Sequence, residues 1–324
     1  MNMNKFQAHR IFSFETALGI LAKRFPENIT CSEVLKPVTG WVGKRVYKIR
    51  EHIPSASMER YFADWTEHIT GYDTVIMGQS VRSREVFEKI RELNPSARLI
   101  QTYNDTIDDD GRNNPRHYQG MGIEFYTFDK GDAEKYKSYG MQFKHYFWPN
   151  AATVDDAERF MKQQDEPVEK RQEAFFIGAD RGRLKYLMSL SDRLKDMGVE
   201  AKFHIVGELH GHYYGHQREV ITRQRLSYEE VIDEDRHSCA IIDVPQPGQM
   251  GLTLRPMEAL FFGRKLITTN KDIKNYDFYC PENIFILDEQ PDEDIRAFLN
   301  APMKKIPFDI VSGYTAERWL NGFF

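Results

Sequence analysis

From residue 72 onward the chain alternates short apolar runs with stretches of helical periodicity. Residues 72–78 form an apolar run of strand length ending in Gly78, and residues 83–93 place Val86, Phe87 and Ile90 on one helical face. Asn94 and Pro95 break that helix, and residues 98–103 are the next apolar run. Strand, helix and strand in this order make a βαβ unit, so parallel pairing and a right-handed crossover are expected. Residues 122–128 and 143–148 predict two further strands, separated by a helix that Asp132 caps and that runs through Tyr136. Upstream the pattern is weaker. Residues 6–14 read as a strand, and Ala17, Leu18, Leu21 and Ala22 recur at helical spacing within 14–25.

Residues 151–171 are polar and charged around Pro167 and predict a linker. The α/β rhythm then restarts. Residues 173–178 are a strand ending in Gly178, and 179–183 are a turn. Residues 184–197 are a helix with Leu184, Leu187, Met188 and Leu194 inward and Gly198 as its stop. A strand at 202–207 leads into a polar loop at 208–224, rich in His and Tyr. Ser227 and Glu230 then open a helix with a capping-box pattern. Strands at 239–244, 265–270 and 283–287, a helix at 292–299 and a short aromatic helix at 314–324 complete the pattern. No longer repeat is present, only the βα alternation.

The segment at 245–264 organises the second half. Pro245, Pro247 and Gly248 stop the strand before it and open a loop. Gly251 lets backbone amides approach a ligand closely. Pro256 suits the first turn of a helix, whose apolar face is Met257, Ala259, Leu260 and Phe261. Gly263 fits the helix stop, and Arg264 and Lys265 complement the dipole there. A loop at the C-terminal end of a parallel strand, feeding a helix N-terminus, is where open α/β sheets bind ligands, anionic ones in particular.

Composition narrows the class. The chain has 324 residues, 41% hydrophobic and 29% charged, which suits two globular domains. The net charge of −5 argues against nucleic acid as a partner. Cys31, Cys239 and Cys280 are scattered without metal spacing, which suits a reducing compartment. No N-terminal apolar leader and no run of membrane-spanning length are present, so a cytoplasmic protein is expected. Any membrane contact is then peripheral, at the cytoplasmic face of an inner membrane. The basic amphipathic stretch from Trp41 to Ile53 reads either as a surface for anionic lipid or as an ordinary solvated helix. Asp108, Asp109 and Asp110 lack the spacing of a calcium site and read as a turn. His204, His210, His212 and His216 sit among glycines that favour loop over a metal-binding helix face.

The 251–267 segment resembles the donor-binding segment of GT-B glycosyltransferases, in which a Gly-rich loop leads into a helix reading E-A-x-x-x-G-x-x-x-I. The matching residues are Gly251-Leu252, Glu258-Ala259, Gly263 and Ile267. Residues 247–255 further resemble a Pro-Gly-Gln-x-Gly-Leu-Thr-Leu-Arg segment of bacterial capsule and lipopolysaccharide transferases. A "TFDxxDAxxY" pattern of that group matches Thr127, Phe128, Asp129, Asp132, Ala133 and Tyr136. The resemblance implies two Rossmann-like α/β domains facing each other across a cleft, with a C-terminal helix crossing back. The expected boundaries are 1–150 for the acceptor domain, 151–171 for the linker, 172–308 for the nucleotide-sugar domain and 309–324 for the crossing helix. It also implies that Glu258 hydrogen-bonds the ribose of a nucleotide sugar. Many retaining members carry a second glutamate where this chain has Met250, so their mechanism is not carried over.

A nucleotide sugar presents a pyrophosphate, which needs helix-start N–H groups and one or two cations. Gly178, Asp180 and Arg183 at one strand-to-helix turn, and Gly251 and Arg255 at the other, are the expected donor-binding residues, together with Glu258. Gln249 and Thr253 are expected to bond the sugar or phosphate, and Tyr228 to line the base pocket. Arg181 is expected to stabilise the leaving diphosphate. An inverting transfer needs a base from the first domain, for which Asp105 and then Asp129 are the candidates. The expected function is transfer of a sugar from a nucleotide-sugar donor to a glycan or lipid-linked acceptor, with no cofactor and no metal required. Its rivals are a noncatalytic nucleotide-sugar scaffold or sensor and a nucleotide-sugar epimerase. Glu258→Ala and Arg255→Ala are each expected to abolish donor binding with the fold intact.

Overall fold

A computed structural model describes residues 4–41, 45, 57–109, 111–165, 173–209 and 211–324. Most of the amphipathic stretch from Trp41 to Ile53 therefore lies outside the described residues, as do Asp110 and His210. The chain divides into two compact units, residues 1–152 with 319–324, and residues 153–318.

The first unit carries β1 (Ile11–Ser13), β2 (Ile29–Cys31), β3 (Thr74–Met77), β4 (Arg98–Tyr103), β5 (Ile123–Thr127) and β6 (Met141–Phe143). They form one sheet in the order β2-β1-β3-β4-β5-β6, with every pair parallel. Parallel sheets are covered on both faces, which explains why β3 reads as a continuous apolar run and is buried along its whole length. Helix α1 (Arg84–Leu93) buries Val86, Phe87 and Ile90, the face its periodicity predicts. Phe12, Phe14, Trp65, Phe87, Tyr103 and Tyr118 share the core beneath it. Helix α2 (Lys130–Lys135) precedes β6.

The second unit opens with α3 (Val154–Gln164), then β7 (Ala174–Ala179), α4 (Leu184–Asp196), β8 (Ala201–Val206), β9 (Ile221–Thr222), α5 (Tyr228–His237), β10 (Ala240–Asp243), α6 (Leu254–Phe262), β11 (Lys265–Thr268) and β12 (Ile284–Ile286). Its sheet is again all parallel, in the order β12-β11-β10-β7-β8-β9. Counted within the unit, that is the doubly wound order 3-2-1-4-5-6. Three short helices follow: α7 (Ile295–Asn300), α8 (Phe308–Gly313) and α9 (Ala316–Asn321). No helix among the described residues is long and apolar enough to cross a membrane.

Several local expectations are corrected. Helix α2 is capped by Asp129, whose backbone is extended and whose carboxylate accepts from the N–H groups of Gly131 and Asp132. Asp132 lies inside the helix, where it accepts from Ile107 N at 3.0 Å. The last strand of the first unit is 141–143 rather than 143–148, because Gly140 takes a left-handed turn and sends the chain straight into the strand. The helix expected over 14–25 is a 3-10 turn at Thr16–Leu18 followed by one α turn at Gly19–Ala22. The stretch read as a linker contains α3, fixed by a Thr153/Asp156 capping box. The loop at 208–224 contains the edge strand β9, and α4 buries Leu190 in addition to the expected leucines, with Met188 half-buried against the same core. The aromatic tail does carry a short helix, α9, and its last residues, 319–324, belong to the first unit.

Candidate functional site

In an open α/β sheet the strand order reverses at one point, and the loops there leave a crevice at the strands' C-terminal ends. In the second unit that point lies between β7 and β10. Strand β10 ends at Asp243, which is buried and accepts from the Thr253 hydroxyl at 2.8 Å and the Thr268 hydroxyl at 2.7 Å. Burial raises its pKa, and the two hydroxyls with Arg255 and Arg183 offset part of that rise. Gly248 turns the following loop at φ +83°, a left-handed conformation that favours glycine. Thr253 then caps α6, accepting from Arg255 N at 3.2 Å.

On the other side, β7 runs into the turn 180–183. Arg181 and Gly182 both have positive φ there, at 45° and 77°. Asp180 accepts from Leu184 N at 2.9 Å and from the Tyr213 hydroxyl at 3.0 Å. The Arg183 guanidinium folds inward, donating to the carbonyls of Ala179 and Val244, and so ties the ends of β7 and β10 together. It fills the space above Gly178, where a Cβ would lie 2.6 Å from Arg183 Nη2. Burial lowers its pKa. Arg181 is exposed, with its Nε 3.9 Å from Glu208.

Behind the loop, α5 and α6 bring four polar side chains together. Glu258 is fully buried and accepts from the Tyr228 hydroxyl at 2.9 Å. Arg255 Nη1 donates to Asp235 Oδ2 at 2.9 Å and lies 2.8 Å from Glu258 Oε2. Asp235 is fully buried too. Burial pushes Asp235 up to about 8 against the pull of Arg255, and the Glu258 carboxyl beside it adds to the rise. Burial likewise raises Glu258, with Arg255 and Tyr228 opposing. Two carboxylates beside one guanidinium would leave a buried negative charge, so one proton stays on the pair and the cluster is neutral. A proton held there would also give Asp235 Oδ1 the hydrogen-bond partner it otherwise lacks among the described residues.

The expected donor residues thus separate into two sets. Tyr228, Arg255 and Glu258 form one buried network, and Gly178, Arg183 and Thr253 frame the end of the sheet. Gly251 is buried at the loop's end, and Gln249 is half-buried with its N–H on the Gln246 carbonyl at 3.1 Å. Four of them are engaged within the fold. Arg255 is held by two carboxyls and Arg183 by backbone carbonyls, so neither presents a free charge to a phosphate. Asp180 spends its oxygens on the α4 start and Tyr213, and Thr253 spends its hydroxyl on the α6 cap and Asp243. Arg181 remains exposed at the turn. In the first unit, Asp105 follows the end of β4 and is exposed, and it accepts from Thr106 N at 2.9 Å. Asp129, only 2% exposed, is the α2 cap.

Asp235 and Asp243 were missed. An acid reads as a surface residue, yet Asp235 continues the helical stripe of Tyr228 and Val231, and Asp243 ends an otherwise apolar run. Those interruptions were the available signals.

A solved structure of the Candida albicans trehalose-6-phosphate phosphatase N-terminal domain matches with a TM-score of 0.51. The identity is 10%, over 97% of this chain and 88% of that one. The fold is that of two Rossmann-like α/β units in one chain. UDP-GlcNAc 2-epimerase from Methanocaldococcus jannaschii matches with a TM-score of 0.45 at 10% identity, over 97% of this chain and 98% of that one. A glycosyltransferase involved in lipopolysaccharide biosynthesis matches at 0.42 and 12%, over 97% and 95%. At such identities the likeness is one of fold. No family model matches the chain, and no curated protein matches it.

Proposed function

We propose that this protein is a glycosyltransferase that moves a sugar from a nucleotide-sugar donor to a glycan or lipid-linked acceptor in surface polysaccharide synthesis. The observation that carries this is the Tyr228–Glu258–Arg255–Asp235 network, set at the helix that follows the Gly-rich loop at the sheet's switch point. A carboxyl kept buried and oriented by a phenol and a guanidinium is preorganised to accept from ribose hydroxyls. Arg255 acts there as the group that positions Glu258. The diphosphate takes its charge partner from Arg181, the exposed cation of the β7 turn, and Gln249 reaches the phosphate or sugar. This scheme uses no metal and no cofactor.

A thermal-shift screen against UDP-, GDP-, CMP- and dTDP-sugars tests it, since a ligand of the native state raises the melting temperature. One nucleotide class should shift the protein, and Glu258→Gln should lose that shift while its own melting temperature stays near wild type. Binding of no nucleotide sugar would overturn the proposal. Conversion of the donor without release of a nucleoside diphosphate would identify an epimerase instead, and binding without any turnover a sensor or scaffold.

A further inference from the structure

The second unit has a cavity at the N-terminal ends of its strands, the opposite end of the sheet from the Gly-rich loop. Its apolar wall includes Leu260 on α6, Leu266 and Ile284 at the starts of β11 and β12, Phe278 before β12, Ile306, and Val311 on α8. About 430 Å³ there is free of atoms, part of it open to solvent, and small-molecule sites usually span about 300–1,000 Å³. The segment 301–307, between α7 and α8, supplies one wall as a strap. Asn283, only 6% exposed, holds that strap at one residue. Its Nδ2 donates to the Lys304 carbonyl at 2.7 Å, and its Oδ1 accepts from Lys304 N at 2.8 Å. Pro302 and Pro307 on either side have no N–H to add.

Protein interiors are close-packed, and an unfilled apolar space costs stability in proportion to its size. An apolar space closed by a strap that one amide holds therefore suits an apolar guest. The polar groups of the wall define the guest's other end. Gln164 donates its amide to the carbonyls of Leu260 and Phe261, and the Asn283 amide is spent on the strap. The two other polar lining residues, Arg264 and Lys304, are both cations, and no acid lines the cavity among the described residues. Arg264 is only 6% exposed and donates to the carbonyls of Arg236, from Nε at 2.8 Å, and Gly263, from Nη1 at 3.2 Å. Burial and the Arg236 charge both lower its pKa, and no carboxylate opposes them. Lys304 is exposed at the rim. Two cations and no acid beside an apolar space complement an alkyl chain that ends in an anion, and the space takes one chain rather than the two of a membrane lipid.

We propose that this cavity binds a free medium-chain fatty carboxylate, with its chain against Leu260, Phe278 and Ile306 and its carboxylate at Lys304 and Arg264. The site is separate from the candidate donor site, but α6 serves both. Ala259 and Leu260 line the cavity, while Arg255 and Glu258 bond to side chains of α5.

The test uses the full chain labelled with 13C at the methionine methyls, because Met303 lines the cavity, and Met303→Leu assigns its resonance. Hexanoate, octanoate and decanoate should each move that resonance, with affinity rising about threefold to fourfold per methylene buried. Decyltrimethylammonium, with the same chain and the opposite charge, should bind about 10-fold more weakly than decanoate, or less. Lys304→Glu, at an exposed position, should keep the wild-type melting temperature and weaken decanoate about fivefold or more. A Met303 signal that no carboxylate moves overturns the site, and so does an affinity that does not grow with chain length. Decyltrimethylammonium binding as tightly as decanoate overturns the anionic head, and decanoate affinity within about twofold of wild type in Lys304→Glu overturns its placement at Lys304.

Discussion

One guanidinium holds two buried carboxyls together in the second unit, and its removal is the most damaging single change foreseen there. Arg255→Ala leaves Asp235 and Glu258 buried with no cation, a situation that costs about 3–5 kcal/mol. Urea unfolding should show a loss of that order. Lost ligand binding in this variant would therefore report unfolding as much as chemistry, which is why Glu258→Gln is the better probe of the donor site. Asp235 gives a second expectation through its pKa, about 8 in the fold against 3.8 ordinarily. The folded protein keeps a proton that the unfolded chain has released, so this group's stabilisation is complete below 3.8 and is lost as pH rises through about 8. Asp235→Asn keeps a neutral donor and removes the titration. Its unfolding free energy should fall less than wild type's between about pH 5 and 8, and parallel curves would refute the shared proton. Glu258 was legible in the sequence because its helix carries a recognisable segment. Asp235 was not, because its partner Arg255 is twenty positions away in the chain and only the packing of α5 on α6 joins them.

At the scale of elements, local signals decided what could be read in advance. Ser227 and Glu230 sit together in the chain and do form the capping box of α5. Ser227→Ala should cost about 1 kcal/mol in chemical denaturation. Gly263 ends α6 at φ +59°, and a Cβ there would lie 2.8 Å from the Gln164 side chain. That glutamine donates to the carbonyls of Leu260 at 3.1 Å and Phe261 at 2.9 Å, closing the helix end from α3. Gly263→Ala combines a left-handed backbone with displacement of that cap and should cost about 1–2 kcal/mol or more. A urea midpoint equal to wild type would sink this account. Elsewhere the deciding partner was remote. Strand β9 is two residues long and exists only as the edge partner of β8, so its own sequence carries no strand pattern. Asp129 and Asp132 both precede helical residues, and the backbone, extended at Asp129, settles which one caps. The all-parallel βα alternation itself was legible, since strands buried on both faces must be apolar throughout.

Across the whole molecule the shifted acids fall into two groups with opposite effects on stability. Ion pairing lowers Glu124 through Arg98 and Asp292 through Arg193. Their contribution is present above the ordinary carboxylate pKa and is lost as pH falls through the lowered values. Burial raises Glu15, Asp132, Asp235, Asp243 and Glu258, and the stabilisation these give is lost as pH rises. Glu15 and Asp243 lie at or just past strand ends, Asp132 inside α2, and Asp235 and Glu258 in the α5–α6 contact, and an unfolded chain regains full solvation of each charge. A third contribution comes from Lys144, whose amine lies over the Phe323 ring at 4.5 Å and is pushed down by burial to about 8. Its charged form is penalised in the fold, so stability recovers as pH rises from about 8 toward the ordinary 10.5. Among these groups stability is lost both as pH falls through the lowered carboxyls and as it rises through the raised ones. Melting temperatures measured from about pH 4 to 10 should show both losses, and Lys144→Met should remove the recovery above about pH 8 without moving the acid limb. A melting temperature that climbs steadily from about pH 5 to 8 would mean that the buried carboxyls are ionised in the fold, and the neutral Asp235–Arg255–Glu258 cluster would have to be given up.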